Sequence, residues 1–246
     1  MNINKTKHIA SLATTLLVLQ LVSVSSFGQT PASNKVEHIQ PFTAIYDSIW
    51  YPLSLKGSAS RTLQIKNPNH SVFNFVGEIM AITLEENASL QWNGCLPVPR
   101  HFSRSKKRIF NKKLIDQQTF NWPAKWVTAQ HKKRILKLPV SPGTYDPLSY
   151  QLALRCDLKS GKTQFEYKVV RKTKIKEYRF KVTGEENIKT PLGILPTIIV
   201  KRISDGDDKQ TMLWFSKKHD FTLVKLEQKD ADSNHYLFTI RELVLH

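Results

Sequence analysis

One short segment, running from Tyr145 to Gly161, constrains the fold of this chain more than any other. Asp146 is placed to cap a helix, Pro147 suits a first helical position, and Gly161 suits a left-handed stop. At i, i+4, i+8 spacing the helix carries Leu148, Leu152 and Cys156 on one ridge and Tyr150, Leu154 and Leu158 on another, with Gln151, Arg155 and Lys159 between them. A surface helix needs one apolar stripe, so two ridges require contact on two sides. The segments around it alternate with period two, which predicts a mainly β protein. We expect a strongly curved antiparallel sheet or incomplete β-barrel with one main helix packed against its concave face.

Strand patterns begin at Phe42, where Phe42, Ala44, Tyr46 and Trp50 alternate with Thr43, Ile45, Asp47 and Ile49. Further candidates are residues 58–65, 71–84, 90–92, 120–129, 134–138, 163–170, 175–183, 188–190, 195–203, 211–216, 222–229 and 236–244. Pro191-Leu-Gly193 reads as a tight turn, and residues 204–208 and 230–234 read as polar hairpin loops. This spacing of short strands and turns describes an antiparallel meander of about a dozen strands.

At the N-terminus, Lys5 and Lys7 precede an apolar run from Ile9 to Val24 that ends near Gly28. The layout is that of a secretory signal peptide spanning residues 1–28. A membrane anchor is the alternative, but the run falls short of the ~20 residues a spanning helix needs. Residues 29–40 read as a flexible leader and residues 41–246 as a single β-rich domain, long enough for a sizeable core. The expected location is the periplasm.

Export makes a disulfide chemically permissible, and the chain has two cysteines, Cys95 and Cys156. A bridge would pin the helix to the end of a strand and contribute up to ~4 kcal/mol. Alternatively Cys156 packs as a small hydrophobe. Charge is concentrated in one region, because residues 100–137 hold twelve Lys or Arg against the single acid Asp116. Within it, Arg100, Arg104, Lys106, Lys107, Arg108, Lys112 and Lys113 are candidates for an anion-binding surface. A solvated loop is the plainer reading of the same residues. Nucleic acid is disfavoured as a partner by export and by the scarcity of interleaved aromatics for base stacking.

Chemistry-bearing motifs are absent from the sequence. It contains no Gly-x-Ser-x-Gly elbow, no His-Glu-x-x-His, no phosphate-cradling glycine loop and no paired histidines for a metal. Glu185 and Glu186 are adjacent in a strand and so diverge to opposite faces. We expect no catalytic residues, no cofactor and no metal.

Several motifs together resemble an uncharacterised domain family of exported Gram-negative proteins. They are Pro41-Phe-Thr-Ala-Ile-Tyr46, Phe120-Asn-Trp122, Leu138-Pro-Val-Ser-Pro-Gly-Thr-Tyr-Asp-Pro-Leu148, Tyr178-Arg-Phe-Lys-Val-Thr-Gly-Glu-Glu186, Lys189-Thr-Pro-Leu-Gly-Ile-Leu-Pro-Thr197, Leu213-Trp-Phe215 and Val224-Lys-Leu-Glu227. The resemblance spans residues 41–245 and implies a fold similar to lipoprotein-carrier half barrels, in which helix covers an apolar concavity. The basic stretch and the two cysteines depart from it. Two functions stay open: a binding or carrier protein for a lipid, lipoprotein or other apolar ligand held at Leu148, Tyr150, Leu152, Leu154 and Leu158, with an anionic membrane surface as partner, or an assembly factor acting through protein contacts in an envelope complex.

Overall fold

The computed structural model describes residues 39–67, 69–108, 111–203, 210–230 and 234–246. The signal peptide, most of the leader and most of the two polar hairpin loops expected above lie outside the described residues. Those that are described belong to one compact unit.

The described residues form fifteen strands where about a dozen were expected. In chain order they are β1 (Phe42–Tyr51), β2 (Leu55–Asn67), β3 (His70–Ile79), β4 (Ile82–Asn93), β5 (Leu96–Arg108), β6 (Asn111–Asn121), β7 (Trp126–His131), β8 (Arg134–Pro139) and β9 (Thr144–Tyr145). After the helix α1 (Ser149–Lys159) come β10 (Gln164–Arg171), β11 (Lys174–Thr190), β12 (Gly193–Ile203), β13 (Gln210–Ser216), β14 (Thr222–Lys229) and β15 (His235–Leu245). All lie in a single sheet whose order runs from β8 back to β1, crosses to β15, and descends to β9. Among the described residues only the short β9–β10 pairing is parallel. The sheet is thus an up-and-down meander whose first and last strands zip together, from Phe42 opposite Leu245 to Tyr51 opposite His235.

The circuit is interrupted between β8 and β9, the two ends of the sheet order, and the chain leaves the sheet after β9 to form α1. Side chains bridge this gap in place of a ladder. On β6, Gln118 Nε2 donates to the Val170 carbonyl of β10 at 3.0 Å, and Phe120, Val127, Ala129, Val140 and Val170 form a local apolar cluster.

Period-two burial sets the inner face, with Phe42, Ala44, Tyr46 and Ser48 of β1 all buried. Packing also takes in Ile39, ahead of Pro41. The helix sits against this concave face as expected. Asp146 Oδ1 accepts from the backbone N–H of Leu148 at 2.7 Å and of Ser149 at 2.8 Å, and Gly161 ends the helix at φ +81°. Leu148, Leu152 and Cys156 join one core cluster, with Phe42, Leu63 and Phe73. Leu154 and Leu158 join another, with Phe165, Phe180 and Phe215, and Tyr150 packs on it. Each buried leucine contributes about 1.5–3 kcal/mol. In the intervening polar row Arg155 is only 3% exposed, and Gln151 and Lys159 are half-buried.

Cys95, in the β4–β5 turn, is bridged to Cys156 of α1 with Cα atoms 5.8 Å apart. The same end of the barrel supplies a second tie. Asp220, in the β13–β14 turn, accepts from Arg155 and Lys159.

The basic segment 100–113 departs from the solvated-loop expectation. It forms most of the β5–β6 hairpin, with Phe102 fully buried and Phe120 facing the gap cluster. The hairpin was hard to see because its inward positions include half-buried Arg104 on β5 and buried Asp116 and Gln118 on β6, which break the apolar alternation while being hydrogen-bonded.

Candidate functional site

In an antiparallel meander alternate turns share one rim. The β1–β2, β3–β4, β5–β6, β7–β8 and β14–β15 turns therefore ring one mouth of the barrel, and the β4–β5 and β13–β14 turns that hold α1 ring the other.

Three cavities adjoin one another on the inner side of the sheet. One of about 230 Å³ lies beneath the start of α1, walled by Tyr46, Phe75, Leu148, Leu223 and Phe238, with Arg61 and Glu86 among its polar groups. A second, about 150 Å³, shares Arg61, Gln151, Leu223 and Leu226 with it and reaches Tyr150, Phe180 and Arg202. The third, about 240 Å³, shares Phe75 and Phe238 with the first and is walled by Ile49, Trp50, Ile79, Ile82 and Tyr236 towards the ringed mouth. There, Leu53 and Met80 in the turns are 65% and 80% exposed. Each space alone is below the ~300–1,000 Å³ usual for a drug-sized ligand. A chain-like ligand would occupy more than one.

Of the five ligand-binding residues expected from sequence, Leu148 lines the first cavity and Tyr150, Leu152 and Leu154 line the second. Leu158 is buried in the second core cluster and lines none of these three. The arginines were missed. Arg61 follows Ala59 and precedes Leu63 at an inward position of β2, and an arginine in that register is the signal that was available. Its guanidinium hydrogen-bonds the Gln151 side chain and stands 5.2 Å from the centre of the Phe73 ring.

Burial dominates the electrostatics here. It pushes the Tyr150 hydroxyl up to about 12 in spite of Arg202 and Arg61 nearby, and raises Tyr46 against the opposing pull of Arg61. The Arg155 guanidinium falls to about 10 because it is desolvated, an effect Asp220 only partly offsets. Asp146 rises to about 6, since loss of water outweighs the hydrogen bonds it accepts from Ser149 and Leu148.

The expected anion-binding residues are not brought into one patch. Arg104 points inward and pairs with Glu86 and, at 3.1 Å, with Asp116, which also meets His131. Lys106, Arg108 and Lys113 line a depression of about 350 Å³ with Lys132 at the mouth. Lys107 occupies the opposite face of β5, Arg100 lies in the irregular stretch where the β4–β5 register shifts, and the Lys112 side chain lies outside the described atoms. Directly opposed Lys106 and Lys113 repel, which favours a counter-anion between them.

Two contacts have the form of catalytic dyads. Ser216 Oγ and His219 Nδ1 are 2.9 Å apart, but Ser216 is fully buried and the pair spans a single 3₁₀ turn, as a local cap does. Asp116 and His131 belong to the Arg104 network.

The family model for a protein of unknown function, DUF3108, matches residues 89–239. The chain belongs to the DUF3108 family. That match runs from within β4 to within β15 and includes α1 and both cysteines. No curated protein matches this DUF3108 chain in sequence. Among solved structures, it is similar to a beta-barrel-like protein of domain of unknown function DUF1849 from Brucella abortus, at 11% identity and a TM-score of 0.58, covering 85% of this chain and 99% of that one. This likeness establishes the barrel-like fold. A putative outer membrane lipoprotein-sorting protein domain from Vibrio parahaemolyticus matches at 11% identity and a TM-score of 0.23, covering 85% and 87%.

Proposed function

We propose that this DUF3108 protein is a non-catalytic periplasmic binding or carrier protein for a lipid, a lipoprotein or another apolar ligand. The observation that carries the reading is the run of adjoining cavities from the mouth to α1, walled by Phe75, Phe238, Trp50 and Leu148. Leu148, Tyr150, Leu152 and Leu154 are the helix residues that meet the ligand. The exposed Leu53 and Met80 and the cluster of Lys106, Arg108, Lys113 and Lys132 belong to the same rim, an arrangement suited to an anionic membrane surface. The signal peptide is removed, leaving a mature form that begins between residues 26 and 33, which intact-mass measurement of the exported protein checks. Native mass spectrometry of gently purified protein, followed by delipidation and rebinding, tests the carrier role. Bound or rebinding lipid supports it, whereas an interior that stays empty and takes up no lipid overturns it.

One observation favours the second reading, an assembly factor. Strand β8 has a ladder on its β7 side only and exposes Ile135. A free edge of this kind can receive a strand from a partner. Cross-linking at β8 that captures a stoichiometric protein partner, with no lipid in the barrel, would favour that reading.

A further inference from the structure

The cavity beside α1 has an imbalance of charge that the fold does not explain. Arg61, Arg155 and Arg202 all line it, and no carboxylate does. Arg155 has a partner in Asp220. Arg61 is 8% exposed and forms no ion pair among the described residues, where its neighbours are the Gln151 amide, the Tyr46 hydroxyl and the Phe73 ring. Glu86, which lines the adjoining cavity, is held by Arg104. Arg202 lies 4.0 Å from the centre of the Tyr178 ring, and its Nε is buried without a hydrogen-bond partner. Both arginines line this cavity together with Tyr150 of α1.

Buried cations without acids are costly and are ordinarily paired. Stacking on Phe73 and Tyr178 offsets part of that cost but leaves donor groups unfilled. An anion with several acceptor oxygens is what this arrangement lacks, and guanidinium forks suit carboxylate and phosphate alike. Beyond Arg61 the walls turn apolar, through Leu148, Phe75 and Phe238 towards Trp50.

Building on the carrier reading above, we infer that the ligand is an anionic amphiphile. Its carboxylate or phosphate head is held by Arg61 and Arg202 beside the Tyr150 hydroxyl, and its hydrocarbon tail lies in the apolar cavities towards the mouth. Arg155 positions α1 through Asp220 and is not a head-group ligand.

The test titrates the delipidated full mature chain with four probes of one tail length: dodecanoate, dodecyl phosphate, dodecanol and dodecyltrimethylammonium, each below its critical micelle concentration. Calorimetry or native mass spectrometry reads binding. The two anions are expected to bind about tenfold or more tighter than dodecanol, and the cation weakest. Preference between dodecanoate and dodecyl phosphate separates a fatty-acid head from a phospholipid-type head. Arg61→Gln and Arg202→Gln should each remove most of the preference for anions and leave dodecanol binding unchanged. Because neither arginine has an acidic partner, both variants should melt at or above the wild-type temperature, which shows that they are folded. Equal binding of anion and alcohol, or variants that weaken both equally, overturns the anionic head group and leaves the carrier reading intact. Failure of all four probes to bind overturns both.

Discussion

Asp220→Asn isolates what holds the lower half of α1. The Asp220 carboxylate meets Arg155 Nη2 at 3.1 Å and the Lys159 ammonium, and the Arg155 side chain is 4% exposed. Breaking a buried pair by removing one charge costs about 3–5 kcal/mol. Here Arg155 keeps the Asp220 carbonyl, which its Nη2 reaches at 2.8 Å and its Nε at 3.3 Å, so the lower end of that range applies. Asp220 has a left-handed backbone at φ 51°, which Asn adopts readily, so the change adds no backbone strain. A loss of about 3 kcal/mol follows. For a domain of about 200 residues it lowers Tm by about 6–12 °C. Urea denaturation of the mature protein gives the free energy directly from the midpoint at constant slope. Adding Arg155→Met to Asp220→Asn should recover most of the loss, because an apolar chain then replaces an unpaired cation above Phe42. A cost below about 1 kcal/mol for Asp220→Asn would place the pair with ordinary surface bridges and refute the reasoning.

Replacing both Cys95 and Cys156 with Ser opens a loop with a sequence separation of 61 and should lower stability by about 4 kcal/mol, measured by the same urea titration. Leu152→Ala, at a fully buried position of α1, should cost about 2–5 kcal/mol, and a loss below 1 kcal/mol would mean that the two-sided packing is loose. Arg104→Gln leaves Glu86 and Asp116 without their shared cation and should cost about 3 kcal/mol, whereas exposed Lys107→Gln should stay within about 0.5 kcal/mol. Asp146 binds its proton more tightly folded, at about 6, than unfolded, so its contribution is fully present below about pH 4 and is lost as pH rises through 6. Stability of the wild type relative to Asp146→Asn should therefore fall by about 2–3 kcal/mol between pH 4 and 7, and parallel pH profiles would contradict this.

The helix was legible because its two ridges are local. Spacing of Leu148, Leu152 and Cys156 against Tyr150, Leu154 and Leu158 needs no tertiary knowledge, and the two ridges do pack into separate clusters. Long strands with buried polar groups were not legible in the same way. Segment 100–113 has polar residues at inward positions, and only the pairing of Arg104 opposite both Glu86 and Asp116 makes burial tolerable there. Those partners come from three different strands. The cavity arginines were obscured for a related reason: Arg61 and Arg202 are far apart in sequence, and it is the sheet order that brings both to α1.

Two kinds of inward-lying charge coexist, buried at Arg61 and Arg155 and half-buried at Arg104 and Arg202, and they are placed differently. Arg155 and Arg104 are tied to carboxylates, and Arg155 acts together with the disulfide where α1 meets the turns of one rim. Arg61 and Arg202 stand against aromatic rings, beside cavities, and form no ion pair among the described residues. If all four served only to stabilise the fold, removing any of them would weaken it. The contacts instead predict opposite signs, a loss of stability at Arg104 and no loss at Arg61. A fold that carries unpaired cations must offset their cost elsewhere, and the two-sided helix packing, the long-range disulfide and the Asp220 clamp supply that margin. Cations that line cavities without an ion pair are better accounted for by what enters the cavity than by the folding of the barrel.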